Sequence, residues 1–253
     1  MDRVAVAFSG GADSSFLLRL LRDAYGRGNV LAATVWSEFT TKAEIDAAAR
    51  LARSLGVKHS VIKVKLLSDP KIRANTPLRC YYCKKKIFAS IKKEAARNGY
   101  HVVVDASNRD DRKDYRPGRL ALRELGILSP LESAGMTKTD IRALSRKIGL
   151  PTWDKPANAC LATRIPAGEP ITEGKLYSID AAESILRRAA GLKMARVRCH
   201  GDIARIEVPR ADIKKLFGVS AHAIKKFNSL GFRYITVDLQ GYRTGSMNNK
   251  RGR

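Results

Sequence analysis

Apolar residues recur along this chain in two alternating rhythms, and the alternation predicts the fold. Residues 4–8 form a short unbroken apolar run, VAVAF, and residues 30–36 form a second, rich in small and β-branched side chains. Runs this short and this uniformly apolar suit strands buried on both faces. Helical stretches are expected at 16–25 and 40–55. In the latter, Ile45, Ala48, Ala49, Ala52 and Leu55 fall at helical spacing and Gly56 follows. Further strands are expected at 59–64 and 102–105, and helices at 84–98, 119–125 and 138–148. Thr137 would cap the last helix and Gly149 would end it. Strands and helices in turn predict an α/β fold, with a Rossmann-like parallel sheet covered on both faces.

The rhythm then breaks. Residues 66–78 and 107–117 read as polar loops, the second at the carboxyl end of a strand, where parallel sheets line their ligand crevice. Residues 151–170 read as a proline-containing linker that holds Cys160 and Arg164. Beyond it a smaller C-terminal α+β pattern begins: a helix at 175–189, strands at 194–199 and 204–208 joined by a turn at His200, helices at 211–217 and 221–230, and a strand at 234–239. The expected organisation is a first domain over 1–170, a second over 171–247, and a flexible tail at 248–253.

Composition narrows the setting. No run approaches the ~18 apolar residues of a membrane span, and the first residues carry no signal-peptide pattern, so the expectation is a cytoplasmic chain without membrane contact. Lys and Arg number 48 against 24 Asp and Glu, a net charge of +24. Such a field attracts anions and makes RNA a candidate partner. The basic residues are spread, however, at 84–86, 92–93, 187–188 and 214–215, with no aromatic-interleaved stretch of an RNA-recognition surface. Four cysteines in 253 residues do not make a disulfide scaffold; thiols that react or bind metal fit better.

The sharpest local feature is SGGADSS, residues 9–15, between the first strand and the first helix. Gly10 and Gly11 permit a turn that aims consecutive N–H groups at an anion, and the helix N-terminus adds partial positive charge. The loop lacks the lysine of a Walker loop and the spacing of a dinucleotide fingerprint. Cys80 and Cys83, in RCYYCK, have a spacing that suits a redox pair, half a zinc site or two cluster ligands. Cys160 lies in ACLATR beside Arg164. Three thiolates can hold a cubane iron–sulfur cluster with one iron open; a zinc site would draw a fourth ligand from Cys199 or His200. Arg196 and Arg198 fall on one side of a strand and suit phosphate. Asn108, Asp110 and Asp111 follow a parallel strand, where they could orient Mg²⁺ or a nucleotide.

The glycine loop closely resembles the PP-loop of ATP pyrophosphatases, which cleave ATP between its α and β phosphates. That resemblance assigns pyrophosphate binding to Ser9, Gly10, Gly11, Asp13 and Ser14, with Asp13 near Mg²⁺. Along nearly its whole length the chain resembles the LarE sulfur transferases, through AFSGGADSSFLL, RCYYCKKKIF, NRDDRKDYRPG, SPLESAGMTK, GLPTWDKPANACLATRIPAG, ITEGKLYSID, RVRCHGDIARIEV and DLQGYRTGSMN. The resemblance implies an ATP-dependent enzyme for nickel-pincer cofactor synthesis. It would adenylate the carboxylates of pyridinium-3,5-biscarboxylic acid mononucleotide and replace AMP with sulfur. It implies catalytic roles for Asp13, Cys160 and Arg164, and substrate-phosphate binding by Arg196 and Arg198, with His200 and Glu183 beside them. Two sulfur sources are implied. In one, Cys160 gives up its own sulfur. In the other, Cys80, Cys83 and Cys160 hold a [4Fe-4S] cluster that carries sulfide from an external donor. Three cysteines favour the cluster. The resemblance also implies a symmetric homo-oligomer, a hexamer being one form. The charge of +24 keeps a rival open, a PP-loop enzyme that thiolates tRNA, and a non-catalytic nucleotide-binding or sulfur-delivery protein is a third reading.

Overall fold

A computed structural model describes residues 3–113, 117–156, 159–243 and 245–247. The tail expected at 248–253 lies outside the described residues. The chain's contacts gather into two compact units: one of Met1–Leu66 with Leu78–Asn158, the other of Leu67–Pro77 with Ala159–Arg253.

The first unit holds β1 (Val4–Ala7), α1 (Ala12–Tyr25), β2 (Val30–Trp36), α2 (Lys42–Ser54), β3 (Lys58–Lys63), α3 (Arg79–Arg97), β4 (Val102–Val104), α4 (Gly118–Glu124) and α5 (Lys138–Lys147). Its four strands are all parallel, in the order β3-β2-β1-β4. Residue parity sorts the core onto two faces. Val4, Val6, Val30 and Ala32 pack with Phe16, Leu17, Ala48, Leu51 and Ile141, while Ala5, Leu31 and Ala33 pack with Phe88, Ile91, Ala95 and Leu122 on the other face. The continuous apolar runs are thus strands covered twice, as a parallel sheet requires. Thr41 and Glu44 close a capping box on α2, and Thr137 and Asp140 close one on α5. α3 begins at Arg79, five residues before the expected start, so Cys80 stands in its first turn and Cys83 about one turn further along.

The second unit holds α6 (Glu173–Ala189), β5 (Arg196–His200), β6 (Ile203–Glu207), α7 (Ala221–Ser229) and β7 (Tyr234–Val237). β5 and β6 pair antiparallel, and β6 pairs parallel with β7. Ile179, Ala182, Leu186, Val197, Ile206 and Phe227 are buried. The segment Leu67–Pro77 joins this unit through Asn75, which takes φ 54°. Its amide donates to the Pro166 carbonyl at 2.7 Å, and its own carbonyl accepts the Gly168 N–H at 2.9 Å. Among the described residues, no helix is long and apolar enough to cross a membrane.

Candidate functional site

The order β3-β2-β1-β4 makes β1 the strand from which the chain departs to both sides. Ligands of open parallel sheets bind beyond the carboxyl end of such a strand, and there the glycine loop begins. Gly10 takes φ 66°; a Cβ there would lie 3.1 Å from the Ala48 Cα and 3.2 Å from its Cβ. The loop therefore rests on α2 because position 10 lacks a side chain. Hydroxyls knit the rest. Ser15 Oγ donates to the Gly11 carbonyl at 2.6 Å, Ser9 Oγ lies 3.1 Å from Ser14 Oγ, and the Ser9 N–H donates to Ser14 Oγ at 3.3 Å. Thr34 fixes the strand end: its Oγ1 donates to the Phe8 carbonyl at 2.7 Å and lies 2.7 Å from His59 Nε2. Burial lowers the His59 pKa, so the ring is neutral near pH 7.

Asp13 stands in the first turn of α1 and accepts the Asn108 side-chain amide at 3.0 Å. Asn108 is fully buried. Its N–H donates to Asp111 Oδ2 at 3.2 Å, and its Oδ1 accepts the Asp110 N–H at 3.0 Å. Asp110 in turn accepts the Lys138 N–H at 2.9 Å, and Lys138 Nζ lies 3.3 Å from Asp111 Oδ1. Burial, then the charge of Asp111, raise the Asp13 pKa. The Asp13 and Asp111 carboxylates form a hard-oxygen set, and a cation between them would relieve the opposition to Asp13 ionisation. The set fits Mg²⁺, which takes one or two carboxylates and completes its shell with phosphate and water. The structure thus brings Ser9, Gly10, Gly11, Asp13 and Ser14 together with Asn108, Asp110 and Asp111.

Sequence reading missed Lys155. Its Nζ donates to the Gly10 carbonyl at 2.8 Å, and Arg142 Nη2 donates to the Lys155 carbonyl at 2.8 Å. A lysine between prolines, as in residues 151–156, has no diagnostic spacing.

In the second unit a buried ionic cluster surrounds the main chain at Cys160. Arg164 is 2% exposed. Its Nη1 donates to the carbonyls of Ala159 at 2.6 Å and Cys160 at 3.0 Å, and its Nε donates to Glu183 Oε1 at 2.9 Å. Glu183 also accepts the Val197 N–H at 3.2 Å and lies 3.6 Å from Arg196 Nη1. Arg198 donates to Glu207 Oε2 at 2.6 Å and to the Thr163 carbonyl at 3.2 Å. Three guanidiniums, Arg164, Arg196 and Arg198, share this buried cluster with two carboxylates, Glu183 and Glu207. Burial, then the charge of Arg164, lower the Arg196 pKa. An anion placed here would offset that penalty. Arg205 joins His200 to the cluster: its Nε donates to His200 Nε2 at 3.3 Å, and its Nη1 lies 3.1 Å from Glu207 Oε1. Cys160 is exposed. Cys199 is buried, and burial raises its pKa.

The iron–sulfur expectation is corrected. A cubane cluster needs three thiolates around one point. Among the described residues, no group of three or more His, Cys, Asp or Glu side chains is gathered to hold a metal ion. Cys80 and Cys83 lie about one helical turn apart on α3. A [4Fe-4S] cluster on these cysteines does not fit.

A model of the NAD synthase family matches residues 1–108, the segment from β1 through Asn108. A pyridinium-3,5-bisthiocarboxylic acid mononucleotide synthase from Lactiplantibacillus plantarum is 42% identical over 98% of this chain and 90% of its own. An uncharacterized protein of Synechocystis sp. is 38% identical over 98% of this chain and 92% of its own. One of Methanocaldococcus jannaschii is 31% identical over 96% and 91%.

Proposed function

The chain belongs to the LarE family, with the Lactiplantibacillus plantarum synthase as a relative, and on that premise we propose that it is a cytoplasmic ATP-dependent sulfur transferase converting pyridinium-3,5-biscarboxylic acid mononucleotide to the bisthiocarboxylic form. A carboxylate is a poor acyl donor because oxide is a poor leaving group. Attack of its oxygen on the ATP α-phosphorus expels pyrophosphate and gives an acyl adenylate whose leaving group is AMP. Ser9, Gly10, Gly11 and Ser14 cradle the departing pyrophosphate with loop N–H groups and hydroxyls. Asp13 and Asp111 would hold Mg²⁺, which supplies charge neutralisation at the phosphates. Asn108 keeps Asp13 oriented, and Asp110 ties that loop to the start of α5. Arg196 and Arg198 hold the substrate phosphate; Glu183 lies against Arg196 and Glu207 holds Arg198, while His200 accepts from Arg205 at the edge of the same cluster.

Sulfur comes from Cys160, one atom per chain, so the two thiocarboxylates of one product consume the cysteines of two chains. The Cys160 thiolate attacks the acyl carbon and AMP leaves, which gives a thioester. Removal of the Cys160 Cα proton then breaks the Cβ–S bond, leaving the thiocarboxylate on the substrate and dehydroalanine in the chain. Arg164 acts through the main chain, holding the Cys160 carbonyl. The observation that carries the reading is the hydroxyl-knit glycine loop with the Asp13–Asn108–Asp111 group beside it.

Exchange of labelled pyrophosphate into ATP tests the first step. Exchange is expected only with the biscarboxylate present and is retained by Cys160→Ala, which makes no thiocarboxylate. Absence of exchange in the native protein overturns adenylation. Transfer RNA offered instead is expected to gain no thionucleoside, and light scattering on the same sample reads the homo-oligomer.

A further inference from the structure

Lys155 is the group at the glycine loop that the foregoing mechanism leaves unused. It lies within the proline-containing segment 151–170, directly before Pro156 and far in sequence from the glycine loop. Its main chain is fixed at both ends: the Lys155 N–H donates to the Thr152 carbonyl at 3.1 Å, and its carbonyl accepts Arg142 Nη2 at 2.8 Å. Its side chain is half-buried and crosses to the Gly10 carbonyl, 145 positions earlier in the chain.

That contact is electrostatically poor. A carbonyl is a neutral partner for a half-buried ammonium. The adjoining N-terminus of α1 presents partial positive charge, which opposes a cation. Burial lowers the Lys155 pKa, with the charge of Glu44 opposing. A cation held beside an anion cradle by one neutral acceptor gains most when an anion arrives, because the charge-assisted bond replaces a neutral one. The flexible stem allows Nζ to move while the anchored main chain keeps it within reach.

We infer that Lys155 is a phosphate-binding residue of this site, resting on the Gly10 carbonyl in the empty loop and moving to the β- and γ-phosphate oxygens when ATP binds. The inference rests on the adenylation reading above. It adds a positive charge that meets the negative charge growing on pyrophosphate as the α–β bond breaks, so the residue favours departure as well as binding. It also explains why a loop lacking the Walker lysine can hold a triphosphate: the cation is supplied from another segment.

The test compares pyrophosphate and AMP as separate ligands by calorimetry, using the whole protein with Mg²⁺. Lys155→Met is expected to weaken pyrophosphate binding by about 10- to 100-fold, the worth of a hydrogen bond to a charged group, and to leave AMP within about twofold. Lys155→Arg, which restores the charge, is expected to recover most of the loss. Equal weakening of both ligands by Lys155→Met, or no weakening of either, would make the lysine a structural strut and overturn the inference. If the native protein binds neither ligand, the adenylation reading itself has failed, and this assignment falls with it.

Discussion

Replacing Gly10 by alanine tests whether the loop is built as described. Two costs add. The residue sits at φ 66°, where a Cβ costs about 1–2 kcal/mol. The new Cβ would also lie 3.1 Å from the Ala48 Cα, and that atom belongs to the main chain of α2 and cannot rotate away. Crowding of this kind costs about 1–3 kcal/mol, so Gly10→Ala should lose about 2–5 kcal/mol. Gly126 supplies the control, since it takes φ 65° in the same unit but a Cβ there meets nothing within 4 Å. Gly126→Ala should lose only the conformational cost, and the alanine's effect on the unfolded chain is common to both variants. Thermal unfolding reads the difference at roughly 2–4 °C per kcal/mol for a domain of this size, so Gly10→Ala should melt roughly 4–20 °C lower than native. ATP titration of the same samples should show weaker binding for Gly10→Ala alone. Equal melting temperatures for the two variants would refute the close approach of loop and helix.

Much of the first unit was legible because its strands are buried twice. VAVAF and the run at 30–36 have no reading but strand once their length is considered, and Thr137 marks the start of α5, where it closes a capping box with Asp140; the box of Thr41 with Glu44 on α2 went unread, because the expected helix began at residue 40. The start of α3 was hidden. Its N-cap is Leu78, which offers no side-chain acceptor, and its first turn carries no acidic residue to mark a helix start. The helix is held there by packing, since a Cβ on Gly118 of α4 would meet Lys84 at 2.7 Å and the Cys80 carbonyl at 3.2 Å. The turn conformation of Asn75 and its bonds to residues 166 and 168 are long-range and leave no local signal. For the arginines, spacing placed Arg196 and Arg198 on one side of β5 but could not name their partners. Glu183 arrives from α6 and Glu207 from β6, so the two guanidiniums are buried rather than solvated. Lys155 escaped notice for the same reason, since its meaning lies in a carbonyl 145 positions away.

Further outcomes follow from single contacts. Because burial and Asp111 raise the folded-state pKa of Asp13, its ionisation opposes folding; its favourable share is present below the unfolded carboxylate pKa and is lost as pH rises through the folded one. Asp13→Asn should therefore match native stability in acid and exceed it near pH 7 in urea titrations, while losing Mg²⁺–ATP binding; a variant less stable than native at neutral pH contradicts this. Thr34→Val leaves the Phe8 carbonyl without its 2.7 Å donor and should cost about 1–3 kcal/mol in urea unfolding; an unchanged midpoint contradicts it. Arg164→Met strips Glu183 of its 2.9 Å partner and should cost about 3 kcal/mol, the low end for a broken buried pair because Arg196 remains nearby. Labelling of Cys160 by a maleimide should also accelerate in Arg164→Met, as the carbonyl anchors at 159 and 160 are released; an unchanged rate removes the positioning role.

The central claim is that ATP activates a pyridinium carboxylate and Cys160 replaces its oxygen with sulfur. Intact-mass spectrometry of a single turnover, with protein in excess over the biscarboxylate and no added sulfide, reads both partners at once. The account predicts thiocarboxylate on the substrate and, in equal amount, protein lighter by one H₂S at Cys160. Sulfurated substrate with every Cys160 intact, or adenylate that accumulates without sulfur transfer, would contradict it.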